Sequence, residues 1–193
     1  LLQRQVGRVH SWLVNSPRYW RLGKWVLPAL AAFAFLPTLV RIPVACQQIA
    51  RQQYQMHRFS HDFVKKNVAV EDLGWVAFDT DGKYYLLDLV GLGSNDTLRF
   101  RNIEKNAAWL DDVTRRHDIR LVMIYHPAFP DVPSRWRKLG VLTQTPHWLN
   151  GGAASDQVTL YATNPQDFAA MRSELQRFSQ TLPAGVWLED LSR

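Results

Sequence analysis

The sequence predicts an α/β fold: a small mixed-sheet domain with flanking helices, preceded by a transmembrane helix. Three observations lead there. Trp25–Val40 is a run of 16 residues without a charge. Past residue 62, short apolar runs bounded by turn residues alternate with segments of helical period. The charges also divide: residues 1–61 hold eight Lys/Arg and no acid, whereas residues 62–193 hold 15 bases and 17 acids, a balance of −2. The overall charge of +6 therefore belongs to the first third, beside the apolar run, and nucleic acid is not an expected partner. A hydrophobic share of 47% excludes a disordered chain. With Cys46 the sole cysteine, an intrachain disulfide and a multi-cysteine metal site are excluded as well.

Residues 1–24 form a basic, aromatic segment (Arg8, Trp12, Arg18, Tyr19, Trp20, Arg21, Lys24), expected to be cytoplasmic. As a helix, Trp25–Val40 reaches about 24 Å, short of a hydrocarbon core of about 30 Å. Extension through Arg41 to Cys46 gives the expected span, residues 25–46, with Arg41 placed to snorkel. Pro28, Pro37 and Pro43 are better tolerated in a membrane helix than in a soluble one. A buried or interfacial helix and a cleaved signal peptide are the alternatives; the long Trp-rich segment in front and a poor cleavage site weaken the latter. Five bases precede the run, against Arg41 and Arg51 shortly after it. The positive-inside bias then puts the domain at 47–193 outside the cytoplasm. The chain starts at Leu1 without Met, as a piece of a longer protein or a processed chain would.

Ala45–Val64 has the pattern of an amphipathic helix, with 47–64 as the connector into the domain. Cys46, Ile49, Gln53, Met56, Ser60 and Phe63 share its expected inner face; Gln47, Gln48, Arg51, Gln55 and Arg58 fall outside it. Trp75–Phe78 and Tyr84–Leu89 read as two strands of a hairpin turning at Asp81–Gly82, where Gly supplies φ > 0. Asn102–His117 has a helical stripe of Ile103, Ala107, Leu110 and Val113–Thr114. Arg120–Tyr125 is a buried strand, and His126–Pro133, with three prolines, is a loop. Trp136–Gln144 and Gln157–Ala162 are strands joined through Asn150–Gly151–Gly152. Asn164 caps a helix that has Pro165 at its first position and runs to about Thr181, followed by a short segment, Val186–Leu188.

The chemistry these residues offer is limited. Asp72 and Asp88 can form an acid/base pair, or, as carboxylates beside glycine more often do, accept backbone N–H groups and fix turns; the second reading is preferred. Tyr125 and His126 close the central strand, where sites often form, although packing and loop shaping are the preferred reading. Gly91–Leu92–Gly93 lacks the third glycine of a dinucleotide loop, and Asp79–Thr80–Asp81–Gly82 lacks the remaining calcium ligands. His57 and His61, four apart, share a helix face without a third metal ligand. No Gly-x-Ser-x-Gly elbow supports a hydrolase, and no cofactor is expected. Asn95–Asp96–Thr97 is a glycosylation sequon, meaningful only in a eukaryotic secretory setting. Of eight tryptophans, Trp12, Trp20 and Trp25 suit an interfacial belt; Trp75, Trp109, Trp136, Trp148 and Trp187 are expected in the core or facing the membrane.

Taken in order, the apolar helix is followed by QQYQMHRFSHDFVKKN, Asp72–Leu73–Gly74–Trp75, a hairpin, and Asp88–Leu89–Val90–Gly91–Leu92–Gly93–Ser94. A helix, RLVMIYHPAFP and a hairpin ending TLYAT come next. Over roughly residues 45–162 this order resembles the C-terminal end of bacterial polytopic membrane glycosyltransferases of the GT-C type, relatives of protein O-mannosyltransferases and of the aminoarabinose transferases that act on lipid A. The resemblance implies sugar transfer from a polyprenyl-phosphate-linked donor. It also implies a catalytic acid in a first external loop that has no counterpart here. On that reading the chain is the extracytoplasmic domain packing over the membrane part of the same protein, with Asp72, Gly74, Asp88, Gly91, Tyr125 and His126 on the substrate side or in structural roles. Its partners are the lipid bilayer, the remaining transmembrane part and the sugar donor. The alternative is a single-pass anchored accessory or binding domain without catalysis.

Overall fold

The computed structural model describes residues 17–80, 82–105, 107–129, 131–147 and 152–190. The chain divides into two compact units, Leu1–Pro43 and Val44–Arg193. The expected cytoplasmic segment lies largely outside the described residues, as do Asp81, Trp148, Asn150 and Gly151.

Helix α1, Pro17–Arg51, contains all three prolines of the expected span, Pro28, Pro37 and Pro43. Trp25, Leu30, Phe33, Phe35, Leu36, Leu39 and Val40 are all exposed on it. A helix apolar on every side has no solvated face, the character of a segment that sits in lipid or a large core. It is long and apolar enough to cross a membrane.

In the second unit, α2 (Gln53–Arg58) continues into a π-helical turn, Phe59–Val64, where Lys65 N–H reaches back to Ser60 O at 2.8 Å. Lys65, at φ 52° in the left-handed region, ends it. The strands β1 (Val68–Val70), β2 (Leu86–Asp88), β3 (Leu121–Ile124), β4 (Arg137–Gln144), β5 (Gln157–Ala162) and β6 (Val186–Glu189) form one mixed sheet in the order β2-β1-β3-β5-β4-β6. β1 pairs in parallel with β2 (Val68 opposite Leu86) and with β3 (Val68 opposite Leu121). The other half is antiparallel: β3 with β5, β5 with β4, and β4 with β6. Helices α3 (Trp109–Arg116) and α4 (Phe168–Ser179) flank the sheet.

Both faces of the sheet are covered. Val68, Val70, Leu121, Met123, Leu142 and Leu160 pack on one face with Met56, Phe59, Leu175 and Phe178. Ala69, Leu87, Val122 and Ile124 face the other way, onto Phe100, Leu110 and Val113. That two-sided burial is why RLVMIY reads as a continuous apolar run rather than an alternating one. The cap of the last long helix forms as expected: Asn164 Oδ1 accepts Gln166 N–H at 3.0 Å and Pro165 opens the first turn.

The expected hairpin at 75–89 does not form. Trp75–Ala77 is a short 3₁₀ turn with only Val76 buried, and β2 pairs in parallel with β1 instead. The overlooked strand is Val68–Val70, three residues with every side chain buried. A parallel pair needs a long connection, and residues 71–85 supply it. Gly82 does sit in a turn, at φ 67°. The helix expected at Asn102–His117 starts later, at Trp109; ahead of it Ser94 caps a turn at Asn95–Thr97 that continues as a π-helical turn, Leu98–Ile103, leaving Ile103 exposed. The inner face of the connector also differs. Cys46 is exposed, while Gln48, Gln52 and Gln55 are buried: Gln48 accepts Gly152 N–H and Gln52 donates to Ser155 O across the fold, and Gln55 donates back to Ala50 O in its own helical segment.

Candidate functional site

The parallel half brings three strand ends together. Val70 lies opposite Asp88 and Met123, so β1, β2 and β3 finish at the same edge. The chain leaves central β1 to one side for β2 and returns on the other side as β3. In open α/β sheets the crevice beyond the C-terminal ends at such a reversal is where ligands are held. Here it is a cleft of about 420 Å³, with Glu71, Asp72, Asp88 and Tyr125 on its polar wall and Leu73, Val90 and Leu92 on its apolar one.

Each polar group is held from behind. Tyr125 N–H donates to Glu71 Oε2 at 3.0 Å, and Tyr125 Oη donates to Gln52 Oε1 at 3.0 Å. Gln52 Nε2 in turn donates to Ser155 O at 2.6 Å. Gln53 Nε2 donates to Asp72 Oδ2, and the Gly74 N–H also bonds Asp72. Asp88 accepts Val90 N–H at 2.7 Å and Gly93 N–H at 2.6 Å, which folds the glycine-containing loop back over the end of β2. Gly74 leaves room for the Gln53–Asp72 pair: a Cβ there would stand 2.7 Å from Gln53 Oε1 and 3.0 Å from Asp72 Oδ1 and would push on that contact. Gly91 is required by conformation, at φ 92°, with the Leu98 backbone 3.1 Å from where a Cβ would be.

The electrostatics follow from burial. Desolvation raises the Glu71 carboxyl above its ordinary value, against the pull of the Tyr125 N–H and the Arg101 charge. Desolvation also raises Asp72, against the bonds from Gln53 and Gly74. Tyr125 is pushed far up by burial and then by the two carboxylates, so it remains a neutral phenol. The cleft thus presents acceptors beside an apolar strip and suits a ligand carrying O–H or N–H donors on a partly apolar frame.

Of the residues singled out in the sequence, the cleft brings together Asp72, Gly74, Asp88 and Tyr125. Gly91 stands behind the loop against Leu98, and His126 is exposed at the start of a 3₁₀ turn. His57 and His61 stack at 5.1 Å, and among the described residues no group of three or more His, Cys, Asp or Glu is placed to hold a metal ion. Sequence reasoning missed Glu71, Gln52 and Gln53. The signal was the glutamine-rich stretch Gln47–Gln55, too polar for the inner face of a helix unless its amides are bonded.

No curated protein and no solved structure matches the chain. A family match covers residues 47–161, from the connector through most of β5, and so includes every residue of the cleft. The chain belongs to the family described as Domain of unknown function (DUF8728).

Proposed function

We propose that this chain is the α/β domain, with its anchoring helix, of an inner-membrane glycosyltransferase that uses a polyprenyl-phosphate-linked sugar, and that the domain lies on the periplasmic side. Its cleft receives the hydroxyl-bearing acceptor, while the catalytic acid is supplied by another part of the same protein. The observation that carries this reading is the convergence of Asp72–Leu73–Gly74 and the Asp88–Gly93 loop, the two segments that carry the family resemblance, on one acceptor-rich cleft. The apolar helix that runs directly into the domain supports the membrane setting.

The test is transfer by the intact gene product in vesicles, with a polyprenyl-phosphate sugar as donor. Glu71→Gln and Asp72→Asn should each raise the acceptor KM roughly tenfold, the loss of one hydrogen bond to a charged group, and leave the donor KM unchanged. Absence of transfer by the intact protein sinks the transferase reading. Transfer with unchanged acceptor KM removes the cleft from it.

A second reading, an anchored binding domain without catalysis, rests on the family match beginning at residue 47, past the apolar run. It predicts ligand binding at the cleft and no transfer.

A further inference from the structure

A second, larger concavity, about 630 Å³, lies on the second unit between the start of that unit's helical segment and the loop at 75–79. Its wall is mostly apolar: Cys46, Ile49, Tyr54, Trp75 and Phe78. Three aromatic rings are locked together there. Trp75 meets Tyr54 edge-on at 5.4 Å and Phe78 at 5.2 Å. They are nevertheless uncovered, with Tyr54 40%, Trp75 41% and Phe78 62% exposed. A contiguous aromatic patch left open to solvent marks an interaction surface.

We infer that this groove seats on the surface of a lipid bilayer, so that the folded domain itself, and not only the apolar run, touches lipid. The inference rests on the apolar run crossing a membrane and is independent of the transferase reading. Continuity argues for lipid as the occupant. Cys46, Ile49 and Ala50 belong to the same helix that carries the apolar run. From Val40 to Cys46 the chain has six steps, at most about 20 Å of backbone. The groove's first wall is therefore within reach of the membrane interface whatever the angle of the domain. Trp and Tyr are the residues enriched at that depth. Among the described residues, Asp79 is the one carboxylate on the wall and His57 its one imidazole; the other side chains there are apolar or aromatic. Beyond His57, the stack continues to His61, which shares a small pocket with Lys65 and Lys83. Asp62 bonds His61 at 2.9 Å there, and the two lysines are the groups that would meet lipid phosphates.

The test uses the full chain with Cys46→Ser, reconstituted into vesicles of phosphatidylcholine and phosphatidylglycerol. A single environment-sensitive dye is attached at Phe78→Cys, at Phe33→Cys in the apolar run, or at Gln176→Cys on the exposed side of α4. Phe78 is well exposed, so its replacement leaves the core intact. At 78 the emission should shift to the blue and be quenched several-fold more by a shallow spin-labelled lipid than at 176. Water-like emission at 78 with quenching at 33 overturns the inference and leaves the span standing. Blue-shifted emission at 78 that lipid spin labels do not quench means protein covers the groove, which also overturns it. Water-like emission at both 78 and 33 removes the span and the inference with it. As a second measurement, Trp75→Phe in the otherwise native chain should lower the share of tryptophan emission quenched by the same lipid; no change counts against the inference.

Discussion

The two halves of the sheet are built differently and carry different duties. In the half formed by β2, β1 and β3, strands of three or four residues pair in parallel, and long excursions connect them. In the half formed by β5, β4 and β6, β4 has eight residues and β5 six, and they are successive strands paired antiparallel. Every polar wall residue of the cleft comes from an end of the parallel half, and the longest ladder lies in the other. Parallel strands must return through connections, and those connections start and finish at the sheet's ends, where backbone groups are left for loops and ligands to satisfy. In the antiparallel half the longest pairing, β4 with β5, joins successive strands, while β6 is reached through residues 163–185, which carry α4.

Alanine substitutions on the two sides offer the largest effect and the most direct way to break the comparison. Leu160 on β5 and Leu87 on edge strand β2 are both fully buried; Leu160→Ala should cost about 4 kcal/mol and Leu87→Ala about 2 kcal/mol, because a short strand paired on one side can close more of the cavity. Urea unfolding of the full chain in detergent, followed by circular dichroism, measures both, and equal losses would erase the distinction. Gly91→Ala comes next, at about 2 kcal/mol, because the new methyl meets the Leu98 backbone at a left-handed φ. An unchanged midpoint would mean the loop is free to move away.

The smallest effects sharpen the comparison within the cleft itself, where Asp72 and Asp88 look alike in sequence. Asp88→Asn keeps one acceptor for two backbone N–H groups and should cost about 1 kcal/mol. Asp72→Asn should be neutral or slightly stabilising at pH 7, because burial has raised the Asp72 carboxyl. The favourable contribution of a raised carboxyl is fully present below its unfolded value, about 3.8, and is lost as pH rises through the folded one. The wild type should therefore match Asp72→Asn in stability below that value and fall behind it towards neutrality. A gap of the opposite sign at pH 7 would make Asp72 a structural carboxylate like Asp88.

Much of this was legible in the residues, and the misses share a cause. Gln157–Ala162 and Arg137–Gln144 were readable because long strands with turn residues on both sides leave few alternatives. Asn164–Pro165 announced its helix because capping is local chemistry. Val68–Val70 was overlooked because three residues carry no periodicity, and Trp75–Phe78 took its place on β-propensity alone. Propensity lost there to topology: with β1 filling the position beside β2, the aromatic run had no ladder to join. The cleft was half legible. Asp72, Gly74, Asp88 and Tyr125 stood out at turns and strand ends, but Gln52 and Gln53 act across the fold, on Tyr125 and Asp72, and no local pattern announces that.

The register of β1 also sets when the domain can fold. Val68 waits for Leu86 on one side and Leu121 on the other, and Leu121 waits for Ala162. These closures are long-range, the kind that places a domain among slow folders. During synthesis the apolar helix is complete before any strand exists, and β3 has an unpaired edge until β5 has been made. A chain halted before Gln157 would hold β1, β2 and β3 with a bare ladder facing outward, a template for aggregation. The interval between residues 124 and 157 is therefore where this protein would depend most on a chaperone.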